Sequence, residues 1–310
     1  FGKSARDLDL AESALLAGLL QSPAAYDPFT HPDAARARQS IVLDRMTAEG
    51  YIGREEADAA RSEPLAFNRT PFPIEAPHFV AWIQEQLPAL VGEEAMARGG
   101  LLVTTSLDLD LQHAAEHALA RQVERLKDHD ATNGAVVAID PATGHVLAMA
   151  GSADYFDATI DGAYNGALAN RQPGSSIKPI VYAAALEARY TPATPLLDVP
   201  TALTTAQGDP YSPNNYDYTF HGVVPLREAL ASSYNVPAAR TLAAIGVKPA
   251  VALGRRLGLS TLGDPTRYGL SFALGGAEVR LLDLTAAYAS LAAGGVRVAP
   301  VAILRIEDGS

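Results

Sequence analysis

The sequence contains no cysteine, so it holds neither a disulfide framework nor a thiol nucleophile, and cysteine usage says nothing about its redox compartment. It has no long apolar run: the longest, around Ala14 to Leu20, falls far short of the ~20 residues that span a bilayer. Positive charge is also scarce. Lys and Arg number 24 against 35 Asp and Glu, a formal net charge of -11, and no basic cluster is interleaved with aromatics. That balance argues against a phosphate-tracking surface and against nucleic acid as a partner. There is no tandem repeat and no low-complexity tract. What is present is 310 residues, 48% of them hydrophobic, with a mean hydropathy of +0.04. This suffices for two or three domains of packed core and carries too little charge for wholesale disorder. The chain opens at Phe1 rather than at a methionine, and Glu307-Asp308-Gly309-Ser310 reads as a turn-like string with no closing element. It is therefore expected to be a piece of something longer, any targeting or anchoring segment lying outside it.

Residues 1 to 62 read as helical. LDLAESALLAGLL is followed by the proline-punctuated SPAAYDPFTHPDAA and by a second helix, ARQSIVLDRMTAEGYI, with Asp33 as its expected N-cap and Gly50 as its stop. Four prolines between Pro64 and Phe79 remove backbone donors and fix φ, so this stretch is expected to be a boundary through which neither helix nor central strand runs. A short strand, LLVTTSL, follows. The helix after it should bury Leu111, Ala115, Ala118, Leu119, Val123 and Leu126 on one face. From Gly134, GAVVAID, PATG and HVLAMAGS read as a hairpin in which Gly144 supplies the positive φ. Ser175 to Tyr190, Leu226 to Ser232, Val236 to Ile245 and Val279 to Ala293 read as helices, the last stopped by Gly294-Gly295. Strands followed by a block of helices predict an α+β fold with helices packed on an antiparallel sheet.

Chemistry concentrates in two short motifs. In RQPGSSIKPIVYAAALE, Ser175 and Lys178 lie three apart at the expected start of a helix, so hydroxyl and amine share a face and can meet. That supplies a nucleophile with an adjacent base, provided the lysine pKa is lowered, and the helix terminus adds N–H groups for an oxyanion. By spacing alone, a capping serine beside a solvated lysine is the commoner arrangement. In ALASSYNVPAARTL, Ser233 and Asn235 lie two apart between two helices, with Pro237 opening the second. The serine could relay a proton and the asparagine could hold a substrate amide, although a plain loop of turn-forming residues has the same composition.

Taken together, the segments resemble the bifunctional (class A) penicillin-binding proteins, in which a peptidoglycan glycosyltransferase domain precedes a D,D-transpeptidase domain. FGKSARDLDLAESALLAGLLQSPAAYDP and VLDRMTAEGYI resemble the end of the first domain, TTSLDLDLQHAAEHAL the linker, and NGAVVAIDPATGHVLAMAGS the first transpeptidase hairpin. RQPGSSIKP, YSPNNYDYTFHGVVPLREALASSYNVPAAR and GLSFALGGAEVRLLDLTAAYASLAAGG follow in the family's order. S-x-x-K is a motif of such enzymes. The resemblance implies a glycosyltransferase tail at 1–62, a linker region at 63–130 and a transpeptidase domain at 131–310, of the penicillin-binding and serine β-lactamase-like type with its C-terminal strands missing. It also implies that Ser175 is the acylated nucleophile, Lys178 its general base, Ser233 and Asn235 the second motif, and that transpeptidation needs neither cofactor nor metal. The partners implied are stem peptides ending in D-Ala-D-Ala and β-lactams. The place implied is outside the cytoplasm, with a membrane anchor upstream.

Two departures qualify this. The family's third motif, K-T-G or K-S-G, is absent from the sequence, and so is the glycosyltransferase's E-D-x-x-F. Glu12 and Glu49 are expected on solvated helix faces rather than in catalysis, and the 310 residues alone are expected to be inactive or impaired. A serine β-lactamase-like hydrolase shares the two motifs but not the segments before residue 130. A non-catalytic cell-wall scaffold would keep the fold without acylation.

Overall fold

The computed structural model describes residues 1–68, 74–205 and 208–308. Part of the proline-rich stretch and the terminal Gly309-Ser310 lie outside the described residues. The chain divides into two compact units, Phe1–Ile74 and Glu75–Ser310, so the segment 63–130 contributes to both.

The first unit packs three helices, α1 (Leu10–Leu19), α2 (Pro32–Ala48) and α3 (Arg54–Ser62), around Ala11, Ala14, Leu43, Ala57 and Ala60. A capping box opens α1: the Asp9 side chain accepts from the Glu12 N–H at 2.8 Å and the Glu12 carboxylate accepts from the Asp9 N–H at 3.2 Å. Glu12 is therefore not on a solvated face. It is buried, and the Lys3 ammonium lies 2.8 Å from it. Glu49, by contrast, is exposed at the end of α2. That helix is preceded by His31, with Pro32 in its first position and Asp33 inside the first turn rather than capping it. Proline fixes helical φ and lacks the N–H that a cap would satisfy, so the helix starts two residues earlier than an Asp33 cap would have it. Gly50, at φ +76°, ends it.

In the second unit, α4 (Pro77–Val91) and α5 (Glu93–Arg98) precede β1 (Leu101–Thr105) and α6 (Leu109–Arg125). Pro77 is again a first helical residue, so the end of the proline-rich stretch is helical after all. The buried face of α6 carries Gln112 and Leu119, while Leu111 and Ala118 face solvent. A polar residue takes the inward position because its amide replaces a strand partner: Gln112 Nε2 donates to Met149 O at 3.1 Å, and its Oε1 accepts from Met149 N at 2.7 Å.

The hairpin β2 (Val136–Ile139) and β3 (Val146–Ala150) turns at Gly144, φ +77°, where a Cβ would lie 2.3 Å from Ala299 O. Next come α7 (Lys178–Glu187), β4 (Pro195–Asp198), β5 (Leu203–Thr204), β6 (Pro210–Tyr211), β7 (Gly222–Pro225), α8 (Leu226–Ala231), α9 (Asn235–Ile245), α10 (Val247–Arg256) and α11 (Leu281–Ala292). The chain closes with β8 (Ile303–Asp308), antiparallel to β1 with Leu102 opposite Glu307 and Leu101 opposite Asp308. Glu307 and Asp308 are thus strand residues, not a turn, because β1 offers them a pairing edge. The fold is α+β, and among the described residues its strands form four two-stranded antiparallel ladders rather than one continuous sheet. The larger core gathers α7, α9, α10 and α11 around Ile180, Val181, Leu242, Val251 and Ala287, fully buried. No single helix among the described residues is long and apolar enough to cross a membrane.

Candidate active site

Ser175 sits in a 3-10 turn, Gly174–Ile177, that runs directly into α7. The Lys178 N–H donates to Ser175 O, and in this tighter helix residues three apart eclipse, so both side chains leave the same face. Three contacts hold the turn. Arg171 and Val279 exchange backbone hydrogen bonds at 3.0 and 2.9 Å. Tyr288 of α11 donates from its hydroxyl to Ser176 O at 2.8 Å. Gly275, at φ +90°, lies so close that a Cβ there would sit 2.3 Å from Gly174 N and 2.5 Å from its Cα. Gly275→Ala is expected to destabilise the protein by about 2 kcal/mol or more, through positive φ and overpacking. It is also expected to slow any reaction of Ser175, because the turn must shift. Thermal unfolding and a rate measurement on the same sample check both effects.

Ser175 itself is exposed, whereas Lys178, three residues on, is only 1% exposed. Burial alone pulls the lysine pKa from its ordinary 10.5 down to about 8. Between those two values the unfolded chain binds more protons, so stability rises with pH across that window, and the contribution is lost below about 8.

The Lys178 amine does not meet Ser175 directly: no hydrogen bond joins the two side chains among the described residues. Instead Nζ reaches Ser233 O at 2.5 Å, Ser233 Oγ at 3.1 Å and Asn235 Oδ1 at 2.7 Å. Three acceptors saturate an ammonium. A neutral amine would keep the two shorter bonds as donor and turn its lone pair to the longer one, accepting from the Ser233 hydroxyl.

A helix ending places Ser233 there. Its N–H donates to Leu230 O and the Tyr234 N–H to Ala229 O, both at 3.0 Å, while Ser233 takes φ +55°. This is a Schellman C-cap to α8 with serine in the left-handed position where glycine is usual. A non-glycine residue there costs of order 1 kcal/mol or more, a strain that tends to persist where function requires it. Asn235 opens α9 immediately afterwards.

Of the four residues singled out from sequence, the structure thus joins Lys178, Ser233 and Asn235 in one hydrogen-bonded group and sets Ser175 on the adjoining turn. A cleft of about 420 Å³ opens beside that turn, lined by Gln172, Pro173 and Ser176 and by Gly134 and Leu281. Sequence reasoning missed Tyr288, which has no motif, and the role of Gly275, whose signal is the glycine pair in FALGGAEV.

Residues 134–308 match the family model for the penicillin-binding protein transpeptidase domain. The chain belongs to this family. Residues 1–47 match the transglycosylase family, and the two matches in this order are those of a class A penicillin-binding protein. Penicillin-binding protein 2D of Bacillus subtilis is 33% identical over 317 residues, covering 100% of this chain and 45% of that protein. Penicillin-binding protein 1C of Escherichia coli is 34% identical, covering 96% of this chain and 37% of that protein. The chain therefore spans less than half the length of these curated relatives. The crystal structure of penicillin-binding protein 1A from Haemophilus influenzae superposes with a TM-score of 0.79 at 23% identity, over 100% of this chain and 59% of that one. PonA1 of Mycobacterium tuberculosis, solved with penicillin V, gives 0.62 at 23% identity, over 75% of this chain and 62% of that one. At these identities the two structures bear on fold.

Proposed function

We propose that the protein is a serine-type D,D-transpeptidase of peptidoglycan synthesis that also binds penicillin covalently. The observation carrying this reading is a buried lysine, poised near pH 8, bonded to Ser233 and Asn235 and set one 3-10 turn after an exposed serine. In the forward step Ser175 Oγ bonds to the carbonyl carbon of the penultimate D-alanine as its proton passes to the Lys178 amine. The amide C–N bond breaks, and the terminal D-alanine leaves with a proton returned to its nitrogen. An amine from a neighbouring stem peptide then attacks the ester, and Ser175 recovers its hydroxyl. Ser233 is suited to relay the proton, since it shares a hydrogen bond with the amine. Asn235 keeps the lysine in place and offers its amide edge to the peptide. Serine and lysine carry the whole step, so no cofactor is proposed for it. A β-lactam, with its strained amide in place of the peptide bond, would acylate Ser175 and stay there, whereas a β-lactamase-like hydrolase would release it quickly.

The match at residues 1–47 supports glycan-strand polymerisation from lipid II as a second activity of the whole protein. Class A penicillin-binding proteins act outside the cytoplasm, and that is the proposed place of this one, held by an anchor upstream.

The test is the pH dependence of penicillin acylation in the full-length protein. Only the neutral amine accepts a proton, and with a pKa of about 8 roughly one molecule in ten is active at pH 7 and half at pH 8. The acylation rate is therefore expected to rise through about pH 8 and level off above roughly 9. A rate that is flat from pH 6 to 9, or absence of acylation, contradicts the reading.

A further inference from the structure

The second motif is held from behind by a buried carboxylate. Asp198, at the end of β4, is completely buried, and among the described residues the half-exposed His221 is the only basic side chain within ion-pair distance. Its charge is instead met by N–H donors. Asn215 Nδ2 donates to both carboxylate oxygens at 2.8 Å, the His221 N–H donates at 3.0 Å, and His221 Nδ1 lies 2.7 Å away.

Asn215 is 3% exposed, and its amide is fully used. The nitrogen also reaches Thr219 O at 2.8 Å, and the oxygen accepts from the first two N–H groups of α9, Asn235 at 2.8 Å and Val236 at 3.3 Å. A side chain 20 residues upstream thus caps the helix that begins with Asn235. Asn235 in turn donates from Nδ2 to Asn214 O at 2.8 Å, which leaves its Oδ1 aimed at the Lys178 amine at 2.7 Å. The residue between Ser233 and Asn235 is tied to the same group: Tyr234 stacks on His221 with ring centroids 4.1 Å apart.

A side-chain amide in this orientation serves both sides, because a carboxylate demands donors and a helix N-terminus demands an acceptor. The carboxylate selects the amide orientation, the amide fixes the start of α9, and Asn235 fixes the amine. In a low-dielectric interior such a chain of bonds strengthens along its length.

Resting on the transpeptidase reading above, we infer that Asp198 is a positioning residue for the Lys178 base, acting through Asn215 and Asn235 without touching substrate. A buried carboxylate that served stability alone would have no energetic link to Asn235.

The experiment is a double-mutant cycle in the full-length protein, with penicillin acylation rate per folded molecule as readout and circular dichroism reporting the folded fraction. Asp198→Asn is expected to slow acylation by roughly 10- to 100-fold, as a displacement of order 1 Å in a catalytic group does. In an Asn235→Ala background, the same substitution is expected to cost less than about twofold, because its route to the amine is already cut. Asn215→Ala, which leaves the carboxylate bonded to His221, is run through the same cycle and keeps the test decisive should Asp198→Asn fold poorly. Equal losses in both backgrounds, or losses that only follow the folded fraction, overturn the inference while leaving the transpeptidase reading intact. A wild-type protein that takes up no penicillin overturns the transpeptidase reading, and this inference with it.

Discussion

Ser175→Ala is expected to abolish covalent penicillin uptake by the full-length protein, a loss of at least roughly 10⁴-fold in acylation rate, because no other hydroxyl can stand in. The neighbouring Ser176 comes nearest. It has Pro179 rather than an amine three residues on, and its carbonyl is engaged by Tyr288. Ser233 is bonded to the amine, but its backbone is locked in a left-handed helix cap, so it cannot move to the turn that Ser175 occupies. The exposed Ser175 side chain has no hydrogen bond in the described structure, so the substitution should leave the melting temperature within a few degrees of wild type. Gel fluorescence after incubation with a labelled penicillin, beside a melting curve, reads both. Labelling that persists in the folded variant places the nucleophile elsewhere.

Lys178→Met is expected to lower the acylation rate by about 10²- to 10⁴-fold, the usual contribution of a positioned general base. Methionine keeps an unbranched side chain in a site that is almost wholly buried. Removing the ammonium relieves the desolvation that lowers its pKa to about 8. It also leaves Ser233 O, Ser233 Oγ and Asn235 Oδ1 without their donor. The two effects oppose one another, each on the order of 1–3 kcal/mol, so a large rate loss with a modest stability change is the signature. The residual rate should also lose its rise through pH 8. Stopped-flow acylation at several pH values checks this, and a variant with wild-type rate and an unchanged pH profile would mean that another group accepts the proton.

Much of this was legible in the sequence because it depends on short spacings. The Ser175 to Lys178 interval, the positive-φ turn at Gly144 and the stop at Gly50 are local events, set by helix geometry and by the absence of a Cβ. The pairing of Ser233 with Asn235 was visible too, but its target was not: Lys178 reaches across 55 residues to find them. Gln112 took an inward position that apolar periodicity assigns to Leu111, because a side-chain amide can complete a strand's hydrogen bonds. Glu12 looked solvated until its capping box and Lys3 were seen together. Asp198 and Asn215 were least legible of all. Short polar residues in loops and strand ends carry ordinary turn-forming signals. Their joint role exists only where β4, the loop before β7 and the start of α9 converge.

Whether Ser175 is the acylated residue is tested most directly by peptide mass spectrometry after penicillin treatment. The full-length protein is incubated with penicillin, digested with trypsin, and the peptide running from Gln172 to Arg189 is sequenced by fragmentation. The expected result is a mass increase equal to one intact penicillin, carried on Ser175 and absent from Ser176. An adduct on Ser176, on Ser233 or outside this peptide, or no stable adduct at all, would contradict it.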